Sequence, residues 1–215
     1  MKGLFVTFEG TEASGKSTQL TLLSERLRAL GHGVRTLREP GSTPIGEEIR
    51  HTLMHSKENG AMAPETELLL MNASRAQLVR EIIRPALHAG EIVLCDRFHD
   101  STTAYQGYGR QLDLKIVRAA IEVAVGDTLP DLTLLLIVSQ DVSERRLRDR
   151  RAGGPALRDR IEQSDRRFFE RVAEGYEAIA RSEPGRVRKI DASADLKTVS
   201  EAIWRHVQPI LPIGH

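Results

Sequence analysis

The chain has 215 residues, 31 of them Lys or Arg and 30 Asp or Glu, with 40% hydrophobic residues. That length favours one domain, and a formal charge of +1 argues against bulk electrostatic binding to nucleic acid or an anionic membrane. The longest nearly apolar run, residues 132–138, is far short of the roughly 20 residues that cross a bilayer.

Along the chain, short β-rich runs recur between amphipathic stretches. Residues 4–8 form a first candidate strand, and residues 18–30 a helix with Leu20, Leu23, Leu27 and Leu30 on one face, stopped by Gly31 and Gly33. A weaker strand over 34–38 follows. Residues 65–83 have helical spacing at Leu68, Met71, Arg75, Leu78 and Ile82, and 92–95 and 132–138 are buried strands. The last strand covers 187–190, before a helix carrying Leu196, Val199, Ile203 and Val207. Strands that alternate with helices and are apolar on both faces predict a parallel sheet covered on both sides. Ligands of such sheets sit beyond the C-terminal strand ends, after Phe8, Leu94 and Val138.

The first of these ends carries Gly10-Thr11-Glu12-Ala13-Ser14-Gly15-Lys16-Ser17, the two-glycine, lysine and hydroxyl pattern of a phosphate loop, between a strand and a helix. The glycines let successive N–H groups face an anion, and the helix N-terminus adds partial positive charge. Lys16 is placed for the terminal phosphates of a nucleoside triphosphate and Ser17 for Mg²⁺.

The third strand ends in Asp96-Arg97-Phe98, followed by Ser101-Thr102-Thr103-Ala104-Tyr105-Gln106. Asp96 suits a cation and Arg97 a phosphate, although the two alone equally describe a surface pair closing a strand. Arg75 interrupts an apolar stripe and needs a partner, either an acidic side chain or a ligand carbonyl. Arg145, Arg146, Arg148, Arg150 and Arg151 precede Gly153-Gly154-Pro155, then Arg158 and Arg160. They read as a mobile flap closing on phosphates or as a solvated helix face with Glu144, Asp149 and Asp159 as counter-charges. Cys95, the one cysteine, has no disulfide partner in the chain and reads as a core residue; no Cys/His group has zinc spacing. His99 lacks a triad partner and Trp204 reads as helix packing. The opening Met1-Lys2-Gly3-Leu4 is too soon charged for a signal peptide, so a cytoplasmic location is expected.

Together these segments resemble the thymidylate kinases, which make dTDP from dTMP. The match runs from Phe8-Glu9-Gly10 through Arg38-Glu39-Pro40-Gly41, residues 67–77 and the Asp96-Arg97-Phe98 segment to Asp159-Arg160-Ile161-Glu162-Gln163 and Ile190-Asp191-Ala192. The resemblance implies a single α/β domain over 1–215 with a five-stranded parallel sheet of the P-loop NTPase type, and a short mobile lid at about 145–160. It implies ATP as donor, held by Gly10, Thr11, Glu12, Ala13, Ser14, Gly15, Lys16, Ser17 and Thr18, with Mg²⁺ on Ser17 and Asp96. It implies an acceptor site of Glu12, Arg38, Met71, Arg75, Arg97, Ser101, Thr102, Tyr105 and Gln106. In the family, Glu12 matches the acid at the sugar 3′-hydroxyl, Arg97 the phosphate clamp and Arg75 the arginine on a thymine carbonyl. Thr102 occupies a base-contact position, and Tyr105 lies under the deoxyribose, where a 2′-hydroxyl would be crowded.

The phosphate loop carries no arginine while the lid is rich in them, which resembles the bacterial-type variant; Arg150 and Arg151 then supply the neutralising charge, with Arg148 close behind. Met71 departs from the family's usual phenylalanine. The family also implies a homodimer. The readings left beside it are a kinase for another pyrimidine monophosphate or a deoxynucleoside, and a non-catalytic nucleotide-binding switch. Nucleic-acid binding through the arginine-dense segment is disfavoured by the neutral charge and the lack of interleaved aromatics.

Overall fold

The computed structural model describes residues 3–56, 58–152 and 160–212, the side chains of 150–152 excepted. Five strands, β1 (Leu4–Glu9), β2 (Val34–Arg38), β3 (Ile92–Asp96), β4 (Leu132–Ile137) and β5 (Val187–Asp191), form one all-parallel sheet in the order β2-β3-β1-β4-β5. The three central strands are buried along nearly their whole length, as their continuous apolar runs require. The chain runs from β1 out to β2, back to β3 and then past β1 to β4, so the strand order reverses beside β1, and the crevice beyond its end is the expected ligand site.

Alternation along β1 assigns the two layers. Leu4, Val6 and Phe8 face α1 (Lys16–Ala29) and α9 (Leu196–Val207), packing against Leu20, Leu23, Leu27, Val199 and Ile203. Phe5 points to the other face, under α3 (Pro64–Leu78), α4 (Arg84–His88) and α6 (Leu114–Val125). α8 (Arg166–Ser182) closes the same face over β4 and β5 with Phe168, Val172, Tyr176 and Ile179. The sheet is thus covered on both sides, a three-layer α/β fold as expected. Cys95 is buried in the core, and Trp204 packs on α9 beneath the Arg26 guanidinium, 3.9 Å away.

Some elements differ from the expectation. α2 (Pro44–Met54), α6 and α8 are helices that the sequence pattern had not delimited. The helix expected over 65–83 is α3 followed by a π-helical turn over Val79–Ile83 and then α4. Pro85, with no N–H and a ring that crowds the preceding turn, lies just beyond that widened turn. A second π-helical stretch, Thr103–Gly109, follows α5 (His99–Thr102) and carries Tyr105 and Gln106. Gly109 permits close packing on α8, since a Cβ there would lie 2.6 Å from Phe168, and Gly107 does the same against Leu114 of α6. Of the expected lid, α7 (Gln140–Ala152) forms the first part, and residues 153–159 lie outside the described residues.

Candidate functional site

A cavity of about 740 Å³ opens beyond the C-terminal ends of β1 and β3. At one end is the phosphate loop. Gly10, Ala13 and Gly15 take positive φ values of 135°, 53° and 95°, and α1 begins at Lys16 with no side chain capping its N-terminal amides. Uncapped amides together with the helix dipole make an anion site. The loop is braced from behind by α7, where Ser143 Oγ donates to Glu12 O (2.6 Å) and Arg146 donates to Ala13 O (3.4 Å) and Ala192 O (3.0 Å).

Lys16 Nζ curls back to donate to Gly10 O (3.0 Å) and Thr11 O (2.8 Å). Burial, reinforced by repulsion from Arg97, pushes its ammonium from 10.5 down to about 8. Ser17 Oγ donates to Asp96 Oδ2 at 2.5 Å, so α1 and β3 bring together a hydroxyl and a carboxylate oxygen. This is the hard-oxygen donor set that Mg²⁺ accepts, alongside phosphate oxygens and water. Among the described residues no group of three or more His, Cys, Asp or Glu could hold a metal ion.

At the centre stands Arg97, in a left-handed conformation (φ 70°) at the elbow between β3 and α5. The elbow is fixed by Arg97 N donating to Phe8 O (2.9 Å), Cys95 Sγ donating to Arg97 O (3.0 Å) and Phe98 N donating to Glu9 Oε1 (2.7 Å). Arg97 Nη1 donates to Gly10 O (3.1 Å), Ser101 Oγ (3.2 Å) and the Tyr176 hydroxyl (3.3 Å). Nη2 donates to Glu12 Oε1 (2.7 Å) and the Tyr105 hydroxyl (3.1 Å), and Tyr105 in turn donates to Glu12 (3.0 Å). Burial opposes the Glu12 charge, but the cations Arg97 and Lys16 outweigh it and hold that carboxyl below the ordinary range. Burial pushes the Tyr105 and Tyr176 phenols well up, so both are neutral hydroxyls.

The far end is lined by Met71, Arg75, Thr102, Tyr105 and Gln106. Arg75 is almost wholly buried, and each of its three nitrogens is engaged. Nε donates to Glu39 Oε2 (2.8 Å), Nη1 to Asn72 Oδ1 and Thr102 Oγ1 (2.9 Å each), and Nη2 to Phe98 O (3.1 Å). Of the two partners its position allowed, the structure supplies the acidic side chain. Glu39 precedes a cis peptide to Pro40, and its Oε1 is buried with no hydrogen-bond partner, so burial outweighs Arg75 and raises the carboxyl to about 7. Gln106 Nε2 donates to Glu67 Oε1 (2.6 Å), a buried carboxylate that also receives Arg110 and Arg160. Arg38 lines the cavity from the end of β2, its guanidinium held by both Glu47 oxygens at 3.0 Å.

Every residue expected in the site from Glu12 onward lines this one cavity except Arg150 and Arg151, whose side chains lie outside the described residues. Gly10 lies behind it as an acceptor for Lys16 and Arg97, and Thr11 lines a neighbouring cavity of about 730 Å³ between α7 and α8. Arg148 lines that second cavity too. His99 is buried behind the site, its pKa lowered by burial. Glu39, Arg50 and Arg146 line the main cavity without having been assigned to the site. Glu39 had a signal in the Glu-Pro-Gly turn at the end of a strand and Arg146 in the arginine-dense stretch; Arg50 had none.

A thymidylate kinase family model matches residues 8–203. The chain belongs to the thymidylate kinase family. It is 48% identical to a thymidylate kinase of Syntrophotalea carbinolica over 93% of both chains, and 48% identical to one of Alcanivorax borkumensis over 97% of both. The crystal structure of thymidylate kinase from Ehrlichia chaffeensis superimposes with a TM-score of 0.77 at 31% identity, covering 97% of this chain and 99% of that one. As a member of this family the protein is a nucleoside monophosphate kinase, a phosphotransferase, and the P-loop NTPase fold expected of the family is the one observed. No helix of the described residues is long and apolar enough to cross a membrane.

Proposed function

We propose that this thymidylate kinase transfers the γ-phosphoryl group of ATP to the phosphate of dTMP, giving dTDP and ADP. The observation that carries the reading is the single cavity in which an uncapped phosphate loop and a buried arginine-tyrosine-threonine pocket face each other across Arg97. Gly10 through Thr18 hold the ATP phosphates. Ser17 and Asp96 would hold Mg²⁺, which when bound would neutralise charge on the donor phosphates. Arg97 clamps the acceptor phosphate, and Glu12 turns from Arg97 to the sugar hydroxyl. Thr102, whose hydroxyl oxygen already accepts from Arg75, reads the base together with Arg75, which would exchange one of its present protein partners for a base carbonyl; Met71 covers the base's face, and Tyr105 supports the deoxyribose.

The chemistry needs no general base. The second pKa of a phosphate monoester is about 6, so the acceptor is mostly a dianion at neutral pH. What obstructs the reaction is repulsion between two polyanions, which Lys16, Arg97 and the lid arginines Arg150 and Arg151 offset. A lid at about 145–160 within one kinase domain over 1–215 keeps water from the γ-phosphoryl group.

The family's dimeric assembly is part of this reading. It is supported by Leu69 on α3 and Ile116 and Val123 on α6, which are exposed on two helices packed together. Sedimentation at micromolar concentration tests it, with a monomer refuting it. The cytoplasm is the compartment implied.

ADP release with MgATP, compared for dTMP, dUMP, UMP, AMP, GMP and no acceptor, tests the function. Stimulation by dTMP above all others is expected. Equal rates with dUMP refute selection of thymine, and release indifferent to every acceptor refutes the acceptor site.

A further inference from the structure

Behind Arg97 lies a carboxylate that the transfer itself does not use. Glu9, the last residue of β1, is fully buried. Its Oε1 accepts from the backbone N–H groups of Phe98 (2.7 Å) and Ser101 (3.3 Å). Its Oε2 accepts from Ser101 Oγ (2.6 Å) and the Tyr176 hydroxyl (2.8 Å). These two hydroxyls, 3.0 Å apart, are also acceptors for Arg97 Nη1.

Burial and the Asp100 charge raise the Glu9 carboxyl, yet in all four of these bonds it is the acceptor. A hydroxyl has one proton to give and lone pairs to receive with, whereas a carboxylate only accepts. A proton given to Glu9 is turned away from Arg97, leaving a lone pair toward the guanidinium. Glu9 therefore sets the polarity of both hydroxyls, and both then present oxygen to the same guanidinium nitrogen. The fork has a fixed end and a working end. Nη1 is tied to Gly10 O, Ser101 and Tyr176, and Nη2 meets Glu12 and Tyr105, which line the cavity.

We propose that Glu9 and Tyr176 are positioning residues for the acceptor phosphate: acting through Arg97, they hold its guanidinium in place before substrate arrives. The proposal rests on Arg97 being the phosphate clamp. It assigns a role to α8, whose Tyr176 hydroxyl meets Arg97, and to the acid immediately ahead of the phosphate loop. Preorganisation of this kind favours binding because the arginine's side-chain freedom is lost in folding and not again on association.

The test compares equilibrium binding of dTMP and of thymidine, which has the same base and sugar and no phosphate. Tyr176→Phe, which removes one oxygen and keeps the ring, is expected to weaken dTMP roughly tenfold, the scale of a hydrogen bond to a charged group, and to change thymidine by less than about twofold. Glu9→Gln is expected to show the same selective loss; if it does not fold, Tyr176→Phe decides. A network that only ties α8 to the sheet would weaken both ligands alike, and that result, or unchanged dTMP binding in Tyr176→Phe, overturns the proposal. Arg97→Ala separates the two levels. If it abolishes the preference for dTMP over thymidine while Tyr176→Phe keeps it, the clamp stands and the positioning role is refuted. If Arg97→Ala keeps the preference, the clamp assignment falls and this proposal with it.

Discussion

Lys16 offers a proton-linkage measurement whose size follows from its surroundings. Its ammonium is buried among backbone carbonyls, and burial with the nearby Arg97 lowers it from 10.5 to about 8. Near pH 8 about half the free molecules therefore carry a neutral Lys16. Nucleotide phosphates bring negative charge to Nζ and favour the charged form. ATP binding at pH 8 is then expected to take up roughly half a proton, and more at pH 9, with little uptake at pH 6.5. Titration calorimetry in two buffers of different ionisation enthalpy reads this number directly, and Lys16→Met should abolish it. Zero uptake at pH 8, or the same uptake in the methionine variant, refutes the reasoning.

The same displacement has a stability consequence of definite sign. Between about 8 and 10.5 the unfolded chain binds more protons at this site than the folded one, so stability rises with pH across that window. Below it the full cost, about 3 kcal/mol, is present. Lys16→Met removes that cost along with hydrogen bonds contributing about 1 kcal/mol, so it should stabilise the protein by about 2 kcal/mol at pH 7. In urea unfolding the advantage should vanish by about pH 10.

Three further outcomes are expected. A Cβ at Gly10 would stand 2.3 Å from Leu136 O of β4, whereas one at Gly15 meets nothing within 4 Å. Gly10→Ala should therefore weaken ATP binding at least about a hundredfold by displacing the loop, and Gly15→Ala should cost only the strain of its positive φ, about 1 kcal/mol; equal losses of affinity would contradict this. Glu39 is raised from 4.5 to about 7, so the folded state holds its proton longer, and stability attributable to it falls as pH rises through that window. Glu39→Gln should erase this component, about 3 kcal/mol in full, and an unchanged pH dependence of urea midpoints would refute it. Met71→Phe should sharpen discrimination of dTMP from dUMP by roughly two- to tenfold in kcat/KM, because a rigid ring packs on a base face and its methyl group better than a flexible thioether; an unchanged ratio would remove Met71 from the base pocket.

Much was legible because it is local. The strands at 4–8, 92–95 and 132–138 are continuous apolar runs, and the phosphate loop is a contiguous motif whose flanking strand and helix are themselves readable. The helix expected over 65–83 was legible as a period but not as a shape, since the widened turn at Val79–Ile83 depends on how the chain accommodates Pro85. α6 was not delimited because its apolar residues are not confined to the side it buries: Val117, Ala124 and Val125 are buried while Leu114, Ile116 and Val123 are exposed. α8 carries a readable stripe at Phe168, Val172, Tyr176 and Ile179, yet nothing local says what it covers.

By itself the sequence determined the alternation of strand and helix, the anion cradle at Gly10–Lys16, and an arginine and a carboxylate at the end of β3. Those follow from backbone conformational preference, hydrophobic period and side-chain chemistry, which act over a few residues. Tertiary structure alone decided the partners. It set Glu39 against the buried Arg75, brought Ser17 to Asp96 across 79 positions, and delivered Tyr176 from α8 to Glu9 at a separation of 167. A buried charge must find its counterpart somewhere, but which counterpart depends on the strand order that places β1 between β3 and β4, and that is a property of the assembled sheet.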